Sequence, residues 1–486
     1  MTYTSVSYFC MVLLAVPVYY LLPKKFRWAA LLFFSGVFYV SASERKAQLL
    51  MFAASILISY GCGRLLGRLQ RENAARGKCR AVFAAGIVAS ALPLLVTKCG
   101  SLLFSALPGR TVPHWILPVG LSFYSLQVIA YLADVYRRKI RPQENVLKYA
   151  LFVSFFPLIV QGPISRYDQL GEQLFEGHDW SPQQIMPGIQ RMLWGLFLKL
   201  MVADKAAVLV NAVFDRSEIY SGVFLLVAAV LYSIQLYADF SACVVLSQGV
   251  AELFGIRVAD NFRRPYFSAS IREFWRNWHI SLSNWLRDYV YIPLGGNRKG
   301  ERRKIFNLLA AFFVSGVWHG YGWQFVVWGL LHALYQIMED LLEKPKDRAL
   351  AGVGLPKGSA SRRVLDTLFT FFLVTLAWII FRAPTLKAGL SYIASIFTSF
   401  HWWVLFDGSL FTLGLSRKEL TVLSLSMLLL LLVSVLQERG VSLRSWFNRQ
   451  NTFIRWIIYL GGIWSIWVFG TYGNGFDASA FIYGGF

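Results

Sequence analysis

The sequence is poor in charge, and poorest in acid. Only 15% of its 486 residues are charged, and 26 Asp and Glu face 48 Lys and Arg, a formal net charge of +22. Soluble domains carry about 25% charged residues, so a chain that is 56% apolar is not an ordinary soluble protein. Cysteine is scarce as well. Cys10, Cys62, Cys79, Cys99 and Cys243 are scattered, with no CxxC pair and no metal-ligand spacing, which predicts neither a structural disulfide nor a metal site. The sequence contains no internal repeat, P-loop, GxGxxG fingerprint or GxSxG elbow.

What is abundant is long apolar sequence, enough for many membrane crossings. The apolar run Tyr8 to Leu22 has no basic segment before it, so it reads as a retained first span with the N-terminus outside. Lys24, Lys25 and Arg27 follow it. Further spans near 28–42, 47–66, 81–97 and 115–133 place two basic segments on that same, cytoplasmic side: Arg68, Arg71, Arg76 and Lys78, then Arg137, Arg138, Lys139 and Arg141. The basic excess is thus that of cytoplasmic loops, and no nucleic-acid partner is expected.

From Tyr149 to Ile164 the run is apolar but interrupted by Pro157, Gly162 and Pro163, which predicts a re-entrant or broken segment enclosed by protein. Spans resume near 190–213, 222–240, 305–318, 323–338, 365–381, 420–437 and 453–470. The stretch 389–406 is short and aromatic, half-buried or interfacial. Glu343 to Arg363 is polar and predicts a mobile cytoplasmic linker. The fold class is an all-α polytopic membrane protein of eleven or twelve spans with re-entrant and amphipathic helices. It forms a single domain over 1–486: N-terminal spans 1–140, a core of about 145–345, and C-terminal spans 364–486.

The stretch Phe262 to Lys304 differs from the rest in being aromatic and basic. Read as one helix over 271–289, it puts Ile271, Phe274, Trp275, Trp278, Leu282, Trp285, Leu286 and Tyr289 on one face. Arg272, Arg276, His279, Ser283 and Arg287 line an adjoining face. That strip is open to two readings: an interfacial helix whose arginines meet lipid headgroups, or an imidazole able to accept a proton, with cations that hold an anionic donor. Gly295, Gly296 and Asn297 form a turn. Arg298, Lys299, Arg302, Arg303 and Lys304 then fix that end inside, or attract an anionic donor.

His319 ends the apolar run Ile305 to Trp318, with a second run from Trp323 to Met338 directly beyond. An ionisable ring at membrane depth is a functional candidate; the other reading is a histidine bonded across two packed helices. For His332, with no motif around it, the structural reading leads. Ser315, one turn before His319, is expected to bond its own helix backbone. Gln235 and Asp239, one turn apart, either line a polar path or bond a neighbouring helix.

FWRNWHISLSNWLRDYVYIPLGGNRKG, followed by VWHG, resembles the membrane-bound O-acyltransferase family, and within it the bacterial O-acetyltransferases of alginate and other surface polymers. LPVGLSFYSLQVIAYLADVYR (Leu117 to Arg137), FFPLIVQGPISRY, YADFSA and WIIFRAPTL carry the resemblance over nearly the whole chain. The C-terminal FIYGGF departs from the aromatic-rich ending common among relatives. The resemblance implies that His319 is the catalytic histidine, assigned here as general base, and that His279 matches a second functional position. Asn284 and Tyr291 are candidate hydrogen-bonding neighbours; Trp318, Gln235 and Asp239 are candidate channel-lining residues.

It further implies an acyl thioester donor such as acetyl-CoA, no tightly bound cofactor, and a polysaccharide or peptidoglycan acceptor. An extracytoplasmic SGNH-type partner protein is expected. D-alanyl transfer to teichoic acid and a non-catalytic lipid or acyl transporter are the alternatives. If both histidines serve one reaction, the helix of His279 folds inward, its aromatic face packs on protein, and a water-accessible channel joins the two rings. A separation beyond about 15 Å, several times the reach of a catalytic hydrogen bond, excludes a shared site.

Overall fold

The computed structural model describes residues 1–105, 118–320, 322–398 and 400–472, without the side chains of 99 and 101–105. The Cys99 side chain, the start of the 115–133 span and the C-terminal tail therefore lie outside what is described. All regular structure among those residues is helical.

Four N-terminal helices, α1 (Val6–Leu21), α2 (Lys24–Ala42), α3 (Lys46–Arg71) and α4 (Arg76–Ser105), lead to α5 (Leu121–Tyr136), which is buried along nearly its whole length. Short helices α6 (Val146–Ser154) and α7 (Tyr167–Glu176) bracket the proline- and glycine-broken segment. Its buried backbone is satisfied by other elements. Phe156 N–H donates to Ser35 Oγ (3.1 Å), Val160 N–H to the Tyr3 hydroxyl (3.2 Å), and Ile164 N–H to Ser281 Oγ (3.1 Å). Non-helical backbone survives at membrane depth only with such partners.

The centre is built by α8 (Pro182–Phe197), a π-helical turn (Leu198–Ala203), α9 (Asp204–Phe214) and α10 (Val223–Leu253). At 31 residues α10 is about 46 Å long, more than the roughly 30 Å of hydrocarbon it has to cross. It is apolar all round and mostly buried, the pattern of a central helix. Then follow α11 (Ile271–Asn277), α12 (Ile280–Leu286), a π turn (Arg287–Tyr291), α13 (Glu301–His319) and α14 (Trp323–Gly352). The chain continues through α15 (Ala360–Arg382), α16 (Leu386–Ile396), α17 (Arg417–Glu438), α18 (Leu443–Asn448) and α19 (Thr452–Phe469). Seven of the described helices are long and apolar enough to cross a membrane: α3, α4, α10, α14, α15, α17 and α19. The apolar α1 is shorter.

Two expectations need correction. The stretch 271–289 is not one helix: it breaks at Trp278 and His279 and ends in a π turn. Nor is Glu343 to Arg363 a mobile linker. α14 runs on to Gly352, and Arg362, near the start of α15, pairs with Asp347 (2.8 Å) and Asp366 (2.9 Å). The polar composition there serves an ion-paired helical hairpin.

Candidate active site

His279 sits at the break between α11 and α12 in a left-handed conformation (φ 45°, ψ 54°). That costs a non-glycine residue roughly 1–2 kcal/mol. Asn261 holds the break in place. Its carbonyl accepts from Ile280 N–H (3.0 Å), and its side-chain Oδ1 accepts from Ser281 N–H (2.9 Å) and lies 3.4 Å from His279 Nδ1. The break turns the imidazole inward, where it is 0% exposed, rather than onto the surface strip of arginines. Its ring packs against Phe240 (4.8 Å between centroids) and Trp318 (6.0 Å). The aromatic residues Phe274, Trp275 and Trp278 are buried within the protein.

His319 closes α13 and is 1% exposed. Its Nδ1 lies 2.7 Å from the Ser315 carbonyl. A carbonyl only accepts, so Nδ1 carries the proton and Nε2 the lone pair. The expected Ser315 bond to its own helix is therefore replaced by the histidine's; the Ser315 hydroxyl itself has no hydrogen-bond partner among the described residues. α13 and α14 approach closely where Gly316 faces Phe325 and Gly329 faces the Phe312 carbonyl, places where a Cβ would collide.

Trp318 stands between the two imidazoles, 6.0 Å from one and 4.8 Å from the other, with its indole N–H fixed on the Ser122 carbonyl (2.9 Å). The rings are thus no farther apart than the sum of those distances, inside the limit for a shared site. His332 lies in the same aromatic cluster, 5.2 Å from Trp328, which is itself 4.8 Å from His319. Neither His332 nitrogen has a partner among the described residues.

A cavity of about 1200 Å³ opens beside His319, lined by Lys98, Gly320, Trp323, Phe325 and Thr385 among others. A second, of about 1140 Å³, reaches Asn261, which holds His279. Neither of these two cavities is lined by an imidazole.

The remaining candidates separate from this centre. Arg272 pairs with Asp340, and Arg287 with Asp288 (2.8 Å), while Arg276 is exposed. The Tyr291 hydroxyl donates to Asn297, and the Asn284 carbonyl accepts from Arg166 (3.4 Å); neither is bonded to an imidazole. Asp239 accepts from Lys199 Nζ (2.8 Å), which also reaches Asp204 (2.8 Å), so it bonds a neighbouring helical segment rather than lining a path. Gln235 is buried without a partner for its Oε1. Asn261, Ser122 and Lys98 were missed by sequence reasoning. Only Lys98, a lone cation in an apolar run, carried a signal. The four cysteines described are free, and no group of metal-binding side chains forms among the described residues.

Residues 137–344 match MBOAT, the membrane-bound O-acyltransferase family. The chain is 34% identical over 444 residues to a probable alginate O-acetylase AlgI of Azotobacter vinelandii, covering 89% of this chain and 83% of that one. This chain belongs to the membrane-bound O-acyltransferase family. It is also 35% identical over 303 residues to the peptidoglycan O-acetyltransferase of Helicobacter pylori (57% of this chain, 56% of the relative). To the teichoic acid D-alanyltransferase of Bacillus subtilis it is 27% identical over 279 residues (54% and 69%). The protein is accordingly a multi-pass membrane O-acyltransferase.

Proposed function

We propose that this O-acyltransferase moves an acetyl group from a cytoplasmic thioester, acetyl-CoA or a close equivalent, towards a cell-surface polysaccharide. His319 acts as the general base. The observation that carries this reading is the 2.7 Å contact from His319 Nδ1 to the Ser315 carbonyl, which leaves Nε2 as the basic atom. The acceptor hydroxyl gives its proton to Nε2 while its oxygen attacks the thioester carbonyl. The C–S bond then breaks, and the departing thiolate takes the proton back as the free thiol. A positioned imidazole typically contributes about 10²–10⁴-fold to such a step. His279, inward-facing with an unpartnered Nε2, is suited to polarise the thioester carbonyl or orient the donor.

The chamber beside Gly320 supports approach of the acceptor from outside, the hydroxyl belonging to the polymer or to an SGNH-type partner protein. On the cytoplasmic side Arg276 has no ion-pair partner among the described residues, unlike Arg272 and Arg287, and so is the strip's best candidate for an anionic donor. Arg276→Gln should raise the donor KM a few-fold with little change in kcat, the signature of a lost ground-state contact.

Acetyl rather than D-alanyl transfer is favoured by the alginate-type relative, similar over 89% of this chain against 54% for the D-alanyl one. Purified protein given labelled acetyl-CoA or a D-alanyl carrier protein decides between them. Release of free coenzyme A that depends on acceptor supports the acetyl reading. Turnover of the D-alanyl carrier alone overturns it.

A further inference from the structure

The cavity that reaches Asn261 runs between α8 and α10 on one side and α17, α18 and α19 on the other. Its two ends differ in chemistry. Leu193, Leu425, Leu429, Val433, Ile458 and Ile466 form the membrane-depth walls. At the other end the lining holds four arginines, Arg191, Arg263, Arg264 and Arg444, and one carboxylate, Asp260.

Two of these arginines are committed to partners: Arg191 bonds Gln248 (3.1 Å) and Glu252 (3.0 Å), and Arg264 bonds Glu438 (2.8 Å). Arg263 and Arg444 form no ion pair among the described residues, and Arg263 is exposed. Burial, and then the neighbouring charge of Arg191, push the Arg444 guanidinium below its ordinary value against the opposing pull of Glu252 and Asp260.

The depth also matters. Along α10 the lining extends from Tyr237 to Gln248, a rise of about 16 Å. That is close to half of the roughly 30 Å hydrocarbon core. The arginine end belongs to the cytoplasmic side, where the positive-inside pattern places the 254–270 and 439–451 segments. An apolar slot one leaflet deep, capped by cations at headgroup level, has the chemistry of an anionic amphiphile. Basic pockets between membrane helices on this side bind anionic headgroups.

We propose that this cavity is a binding site for one anionic phospholipid of the cytoplasmic leaflet, its phosphate paired with the arginine rim and an acyl chain along α10. The lipid braces the C-terminal helices against the segment 260–264, and through Asn261 it supports the inward turn of His279. Neither imidazole touches the lipid, so binding is separable from acyl transfer.

The test uses the full chain in detergent, titrated with phosphatidylglycerol or with phosphatidylcholine of the same acyl chains, and read by native mass spectrometry. Phosphatidylglycerol should be retained and phosphatidylcholine lost. Arg263→Gln with Arg444→Gln should weaken phosphatidylglycerol retention by about five-fold for each arginine removed. Leu429→Trp, which fills the apolar slot without touching the rim, should also weaken it, and decides the matter if the double variant does not purify as a single species. His319→Ala should retain the lipid as the parent does. Equal retention of both lipids, unchanged retention in the variants, or displacement of phosphatidylglycerol by coenzyme A would overturn the proposal.

Discussion

Two buried polar systems lie in this membrane-embedded core, and they are built on opposite plans. In the first, Lys199 of the π turn reaches Asp204 and Asp239, both at 2.8 Å. Each charge there meets an opposite one, as burial demands. In the second, His279, His319 and His332 are held by aromatic rings and a few directed bonds. His279 Nε2 and both His332 nitrogens have no partner among the described residues. Two carboxylates sharing one buried ammonium make a structural clamp. The unpartnered nitrogens of His279 and His332, close to His319, make a place where a reacting group can complete the bonding. Chemistry is expected at the histidine system and stability at the ion-paired one.

The sharpest way to break this contrast is to remove one member of each. His319→Ala should lower acyl transfer by about 10²–10⁴-fold while the detergent-solubilised protein keeps its thermal transition. A well-folded variant with more than a few per cent of parental turnover would take the base assignment from His319. Lys199→Met should do the reverse in kind. It leaves two carboxylates buried without their cation, which typically costs about 3–5 kcal/mol. The expected result is a strongly lowered unfolding temperature. Lost turnover at an unchanged unfolding temperature would instead make the lysine cluster part of the reaction.

The sequence announces these two systems unequally. His319 is legible because an ionisable ring between two apolar runs has few other uses, and the re-entrant segment because Pro157, Gly162 and Pro163 cannot continue a helix. Asp239 was visible but its partner was not, since Lys199 lies forty residues away on a turn whose π geometry no periodicity predicts. The 271–289 segment shows the limit most plainly. Its apolar spacing fits one continuous helix, and the aromatic residues are indeed buried. The left-handed His279 is imposed by Asn261, a tertiary contact from outside the segment, and a pattern read within it had no access to that bond. The polar stretch after Glu343 misled for a related reason: its charges pair with one another across a hairpin, which a pattern read along the chain does not show.

Asn261 offers a finer cut between the two plans. Asn261→Ala removes the acceptor for Ser281 N–H and the contact with His279 Nδ1. Stability should fall by about 1–3 kcal/mol, the cost of an unsatisfied buried group. Transfer should fall about ten-fold or more through loss of the imidazole's placement, since small misplacements in an active site are costly. Asn261→Asp keeps an acceptor oxygen and should recover part of both losses. If Asn261→Ala lowers stability but leaves kcat and donor KM unchanged, the His279 turn is structural, like the lysine clamp.

The smallest effect is expected outside the membrane core, where Arg166, at the exit of the re-entrant segment, pairs with Asp288 beside α12. Burial alone would raise the Asp288 carboxyl, but hydrogen bonds and charge from Arg287 and Arg166 outweigh it and hold the group below its ordinary value. The sign follows. A carboxylate with a folded-state pKa below its unfolded one contributes stability above the ordinary Asp value of about 3.9, and loses it as pH falls through the lower, folded value. Both partners are partly exposed, so screening keeps the contribution small. Asp288→Asn should therefore lower the unfolding temperature slightly at pH 7, by an amount that shrinks as pH falls below about 3.9. Parent and variant curves that stay parallel over that whole range would show that the pair contributes no pH-dependent stability, leaving the Ile164–Ser281 and Arg166–Asn284 bonds to join the re-entrant segment to α12.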